Sequence, residues 1–128
     1  MAGDPAQLPA VQKLVALPVE ESFAAYFDLV GTDPDLADIA ALALREQGRG
    51  GKLGPEHAKV LSAAVDVAPN LLCVGHLGKA LAALGRAGAP GAASLVKKLR
   101  EAFIVNDVDY WSFDGCVWAL GYLGGNDA

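Results

Sequence analysis

Only 15 of the 128 residues are β-branched, 12 Val, 2 Ile and a single Thr. That scarcity argues against a sheet, because strands draw heavily on such residues. Cysteine is limited to Cys73 and Cys116, both in apolar helical surroundings, which excludes a disulfide framework and reads as buried thiols in a reducing compartment. Long hydrophobic runs are missing as well. The charge-free stretch 67–78 is interrupted by Pro69, Asn70 and His76 and falls short of the roughly 18 apolar residues of a spanning helix. The opening MAGDPAQLPAVQKLVALPVEE has no basic n-region and meets Lys13, Pro18 and Glu20 early, so no secretory signal is expected. The expectation is a cytoplasmic chain without a membrane segment.

What is abundant is Ala (24 residues) and Leu (18 residues), the strongest helix formers. With 53% hydrophobic and 20% charged residues and a mean hydropathy of +0.32, the chain is far from a disordered composition. The fold class is therefore all-α, in one domain spanning 1–128. Charge is unevenly placed: residues 1–44 carry net −6, 45–100 net +6 and 101–128 net −5. A pI near 4.8 and bases spread without interleaved aromatics argue against nucleic acid as a partner.

Apolar periodicity divides the chain into about seven helical segments. An irregular N-terminal part, 1–46, holds three. The first covers Ala6–Leu17. The second begins at Pro18, with Phe23, Tyr26, Phe27 and Val30 as one stripe and Glu20 and Glu21 in the first turn, where the helix dipole favours acids. Gly31 is expected to end it. Thr32 or Asp33 then caps a third helix with Pro34 at its first position and Leu36, Ile39 and Ala43 on its buried side. QGRGGKLG, residues 47–54, reads as a Gly-rich linker. It is no phosphate-binding loop, since Gly51-Lys52 is followed by Leu53 with no strand before it. Helical pairs fill 55–125: a fourth helix with Val60, Leu61, Ala64 and Val65 on one face, a nearly all-apolar fifth over Pro69–Ala87, an amphipathic sixth from Ala92, and a seventh over Tyr110–Leu123.

The fifth and seventh segments share a motif. Ala83-Leu84-Gly85-Arg86-Ala87-Gly88 and Ala119-Leu120-Gly121-Tyr122-Leu123-Gly124 are both ALGxxG, 36 residues apart. Gly85 and Gly121 are expected at close helix contacts, Gly88 and Gly124 at helix ends in the left-handed conformation. The stretch 83–125 resembles the bacterial short HEAT repeat, in which a helix ending ALGxLG is followed by a turn, an amphipathic helix, an acidic turn and a second such helix. Extended backward, the fourth and fifth helices form a preceding pair, and the second and third a degenerate one. The resemblance implies a HEAT-like α–α superhelix of about six to seven helices in antiparallel pairs, using its surface to bind proteins. Trp111-Ser112 stands where such repeats often carry a valine-arginine pair.

Candidate chemistry is sparse. Cys73 and His76 lie three apart on one helix, and with His57 or Cys116 could be read as metal ligands; two Cys and two His among apolar residues fall short of a tetrahedral zinc site, so no metal is expected. A Cys116, His76, Asp114 hydrolase set is set aside because Cys116 lies on an inward stripe; His76 reads more simply as a core-edge histidine bonded to a backbone carbonyl. Asp107, Asp109 and Asp114 lack the glycine and terminal Glu of a calcium loop. The most informative element is the seventh helix. Phe113, Cys116, Val117, Leu120 and Leu123 fall on one side, Trp111, Trp118 and Tyr122 on the other. Either the aromatic side is a second core surface or it is open to a partner, Trp and Tyr being the residues that dominate binding hot spots. A further alternative is that the sequence is a piece of a longer array whose next repeat covers that side.

The reading is a non-enzymatic, acidic HEAT-like scaffold or adaptor. It binds another protein, or a second copy, through Trp111, Trp118 and Tyr122, with no cofactor. An immunity-type inhibitor is one variant. The alternative is a chromophore-handling enzyme, since the resemblance also reaches the HEAT-repeat bilin lyases.

Overall fold

The computed structural model describes residues 8–104, and within them six α-helices and short 3₁₀ turns account for the architecture, with no strand among the described residues. Proline sets most of the starts. Pro9 opens α1 (Pro9–Val15), and Pro18 precedes α2 (Val19–Thr32), positions where its missing N–H costs nothing. Pro34 and Pro55 open 3₁₀ turns that lead into α3 (Ala37–Arg49) and α4 (Ala58–Asp66). The start of α5 (Leu71–Ala83) is capped by the Asn70 side chain, which accepts from the Cys73 amide at 2.9 Å. A 3₁₀ segment, Gly85–Gly91, joins α5 to α6 (Ala92–Ile104).

Several boundaries differ from those expected: α5 stops at Ala83 and not Ala87, and α2 runs past Gly31 to Thr32. Neither Thr32 nor Asp33 caps α3, because the Thr32 hydroxyl turns back to donate to the Asp28 carbonyl at 2.8 Å and Pro34–Leu36 forms its own turn. The helix following the turn also runs further than expected. α3 continues through Arg49, burying Gln47 and Gly48 in its last turn, so the connection to α4 is confined to the residues from Gly50 onward. Gly51, at φ +80°, makes the left-handed break that ends it.

α3 is the hub, packing on α5 most extensively and on α2 and α1 as well. It can do so because its buried face is small: Ala37, Ala40, Ala41 and Gly48 alternate with Leu44. A Cβ on Gly48 would stand 3.4 Å from the Ala80 Cα and 3.5 Å from the Ala83 Cβ, the close approach that keeps α3 and α5 in contact along their length. Their register is parallel, with Asp38 beside Leu72 and Cys73, Arg45 at His76, and Gly48 at Ala80. On the far side of α5 lie α4 and α6, which also touch each other. Leu44, Leu61, Leu77, Leu81 and Leu95 are fully buried between these layers, each contributing on the order of 2 kcal/mol of transfer free energy. The Tyr26 hydroxyl donates to the Ala64 carbonyl at 2.8 Å within this core and so ties α2 to the end of α4.

Several stripe assignments need correction. Phe23 and Tyr26 are buried, but Phe27 lies half outside, edge-on to the Tyr26 ring. Leu36 is exposed, because it belongs to the turn and not to α3. Leu72 in the nearly all-apolar fifth helix and Val96 in the sixth are each 41% exposed. The glycine roles in the first ALGxxG motif differ from those expected. Gly85 takes the left-handed backbone, at φ +62°, directly after the end of α5, and Gly88 is buried inside the 3₁₀ segment. A close approach is found at Gly91, whose Cβ would meet the buried Leu81 side chain. The seventh segment, with Gly121 and Gly124, lies outside the described residues.

Two glycines with open space around them give opposite expectations. Neither Gly31 nor Gly85 has a neighbour within 4 Å of a built Cβ, so backbone conformation alone distinguishes them. Gly31→Ala, within α2, should raise stability by about 0.5 kcal/mol. Gly85→Ala should lower it by about 1 kcal/mol, the left-handed penalty of an L-residue. Denaturant titration of both variants checks the signs, and a shift in the same direction for both would contradict the assignment.

Candidate functional site

The corner between α1 and α2 is short of backbone donors for its carbonyls, because α1 stops at Val15 and Pro18 has no N–H to return; that of Leu14 takes the Leu17 amide at 3.1 Å. Gln47 answers them. Its Nε2 lies 3.2 Å from the Leu14 oxygen, 3.3 Å from that of Val15 and 3.1 Å from that of Leu17. The Ser22 hydroxyl donates to the Leu14 oxygen at 3.0 Å, and Lys52 Nζ to that of Val15 at 2.7 Å. Sequence reasoning placed Gln47 in a linker. The missed signal is its spacing, since residues 40, 44 and 47 form one helical stripe.

With its end held this way, α1 lies along α3 and forms one wall of a cleft of about 290 Å³. Leu8 and Val11 supply that wall; Ile39 and Leu42 of α3 form the floor; Leu72 of α5 stands opposite. Leu8 is 50% exposed and Leu72 41% exposed, so the rim is aliphatic. Three polar residues share the cleft: Asp38 and Arg45 from α3 and His76 from α5.

Arg45 organises them. Its Nε and Nη2 donate to Glu46 Oε2 at 3.3 and 3.2 Å, and its Nη1 lies 3.3 Å from His76 Nδ1. A guanidinium can only donate, so Nδ1 is the acceptor and the ring proton sits on Nε2. Burial, with Arg45 and Lys79 nearby, pushes the His76 pKa down to about 4, which keeps the ring neutral at physiological pH. The backbone-carbonyl partner expected for His76 is thus replaced by the Arg45 side chain. Cys73, one turn away, is fully buried, and burial together with Asp38 raises its thiol pKa to about 12. Such a thiol is protonated and closed to attack.

The other residues considered from sequence do not converge here. His57 is occupied elsewhere, accepting from the Gly54 amide at 2.9 Å and stacking on Phe23 with ring centroids 5.9 Å apart. No group of three metal-ligating side chains occurs among the described residues. Cys116, Asp107, Asp109 and Asp114 lie outside the described residues, and so do Trp111, Trp118 and Tyr122. No described helix is long and apolar enough to cross a membrane. In comparisons with protein-family models, curated proteins and solved structures, nothing matches the chain.

The His76 environment has a pH consequence. Its folded pKa lies below the ordinary 6.5, so the unfolded state binds the extra proton first. Stability from this group is complete above about pH 6.5 and is lost as pH falls toward 4. His76→Gln keeps an acceptor for Arg45 but cannot titrate. Its unfolding free energy should fall less steeply between pH 6.5 and 4 than that of the parent protein; identical slopes would contradict the assignment.

Proposed function

We propose that this chain is a non-enzymatic helical scaffold that binds another protein. The observation that carries this reading is the α1–α3–α5 cleft, walled by aliphatic side chains and rimmed by the exposed Leu8 and Leu72. At about 290 Å³ it lies at the small end of ligand pockets, roughly 300–1,000 Å³, and suits a few side chains inserted from a partner surface. Its polar groups favour recognition over chemistry: Arg45 is engaged by Glu46, and His76 Nδ1 already holds a proton donor.

A HEAT-like arrangement is part of the proposal. It is supported by the parallel register of α3 and α5 in one layer, by the contact of α4 with α6 in the other, and by the packing of α2 on α3 and of α4 on α5. In such an array the Trp111, Trp118 and Tyr122 side of the seventh segment would supply a second anchor, and the opposed charge blocks would steer the partner. The proposed setting is the bacterial cytoplasm.

The experiment is capture of partners by the tagged full chain from its own cells, compared with Leu72→Asp and Trp118→Ala. A specific protein retained by the parent chain should bind each variant at least about 30-fold more weakly, the hot-spot scale of about 2 kcal/mol, with helical circular dichroism unchanged. Equal retention by both variants, or visible absorption from a bound pigment, would contradict the proposal.

A further inference from the structure

We propose that the α1–α3–α5 cleft takes a lysine side chain of a partner protein, with its ammonium on Asp38 and its methylenes along the aliphatic walls. This rests on the reading of the cleft as a protein-binding surface and names the chemistry that surface selects. The three helices run in one direction here. Val11 packs with Leu42 and the Leu14 carbonyl meets Gln47, just as Asp38 lies by Leu72 and Arg45 by His76. Leu8, Asp38 and Leu72 therefore share one end of the cleft, and Arg45 and His76 the other.

The two ends differ in what they still need. Arg45 is held by Glu46 Oε2 at 3.2 Å and by His76 Nδ1 at 3.3 Å, so its charge is met inside the molecule. No side-chain hydrogen bond or ion pair joins Asp38 to another described residue. Its place in the first turn of α3 suits the helix dipole, but about half a charge at a helix end does not neutralise a carboxylate. A partner that covers the exposed Leu8 and Leu72 also takes Asp38 out of water, which is strongly unfavourable without a counter-charge. The occupant must therefore bring a cation to that end and apolar surface to the rest. Lysine supplies both, a long methylene stem and a compact ammonium, and about 290 Å³ has room for it. The net −6 of residues 1–44 attracts such a partner from a distance.

Chemical-shift titration of the full chain with the peptide Ac-Leu-Lys-Leu-NH2 tests this. Saturable shifts are expected at the Asp38, Ile39 and Leu72 amides, with an affinity that falls as salt is added. The same peptide with Nε-acetyl-lysine or with glutamate in the middle should bind about tenfold more weakly or worse. Asp38→Asn keeps the side-chain shape and should bring the lysine and acetyl-lysine peptides to within about threefold of each other. Leu8→Lys, at an exposed rim position, should weaken the lysine peptide about tenfold while circular dichroism stays helical. Absence of saturable shifts in the cleft, an acetylated or glutamate peptide that binds as tightly, or an undiminished preference in a helical Asp38→Asn variant would each overturn the inference. So would n-butylammonium binding as tightly as the peptide, which would make a free amine the occupant. If the lysine peptide fails to bind yet a captured protein is still released by Leu72→Asp, the lysine assignment falls and the binding reading stands. If neither occurs, both fall.

Discussion

The carboxamide of Gln47 is a buried donor at a corner where backbone donors are few. Between Val15 and the start of α2 the backbone turns a corner with a proline in it, and three carbonyl oxygens point at the last turn of α3. An unpaired buried carbonyl costs about 1–3 kcal/mol, and a seven-residue helix such as α1 has too little stability of its own to absorb that. Gln47 Oε1 is left without a partner, a penalty set against the corner carbonyls that share its two N–H groups, of which those of Leu14 and Val15 are also reached by Ser22 and Lys52. The position of α1, and therefore one wall of the cleft, depends on this side chain.

Beneath that corner, α3 and α5 meet through small residues. Ala40, Ala41, Gly48 and Ala80 let the two backbones approach closely, and interiors packed to crystal-like density respond to a change of even one methylene. The close approach is also what brings Arg45 to within 3.3 Å of the His76 ring. Cleft geometry and core packing are thus one arrangement.

The all-helical class was legible because composition, period and proline placement agree, and α4 shows it well, with Leu61, Ala64 and Val65 buried as their spacing requires. Boundaries were less legible. QGRGGKLG contains four glycines, and that composition masked the last helical turn of α3, where tertiary contacts of Gln47 override the poor helix propensity of Gly48. The ALGxxG motif marked the region where α5 ends but neither the residue, since the helix stops at Ala83 and not Ala87, nor which glycine turns left, since that depends on the hydrogen bonds of a 3₁₀ segment that no periodicity reports. Of the cleft, His76 was visible as a candidate. Arg45 and Asp38 drew no reading of their own, because their convergence with His76 comes from the parallel register of two helices separated by residues 50–70. The site named from sequence, Trp111, Trp118 and Tyr122, stays a proposal.

The central claim is that Gln47 holds α1 on α3 and so builds the cleft. Amide hydrogen exchange in Gln47→Met, a substitution of similar volume without the donor, addresses it most directly. The account predicts that the Gln12, Ala16 and Leu17 amides, which are hydrogen-bonded in the parent chain, lose protection by about tenfold or more, in line with a lost buried bond of at least about 1.4 kcal/mol, while the α5 amides keep theirs. Unchanged protection in α1, or an equal loss in α1 and α5, would contradict it.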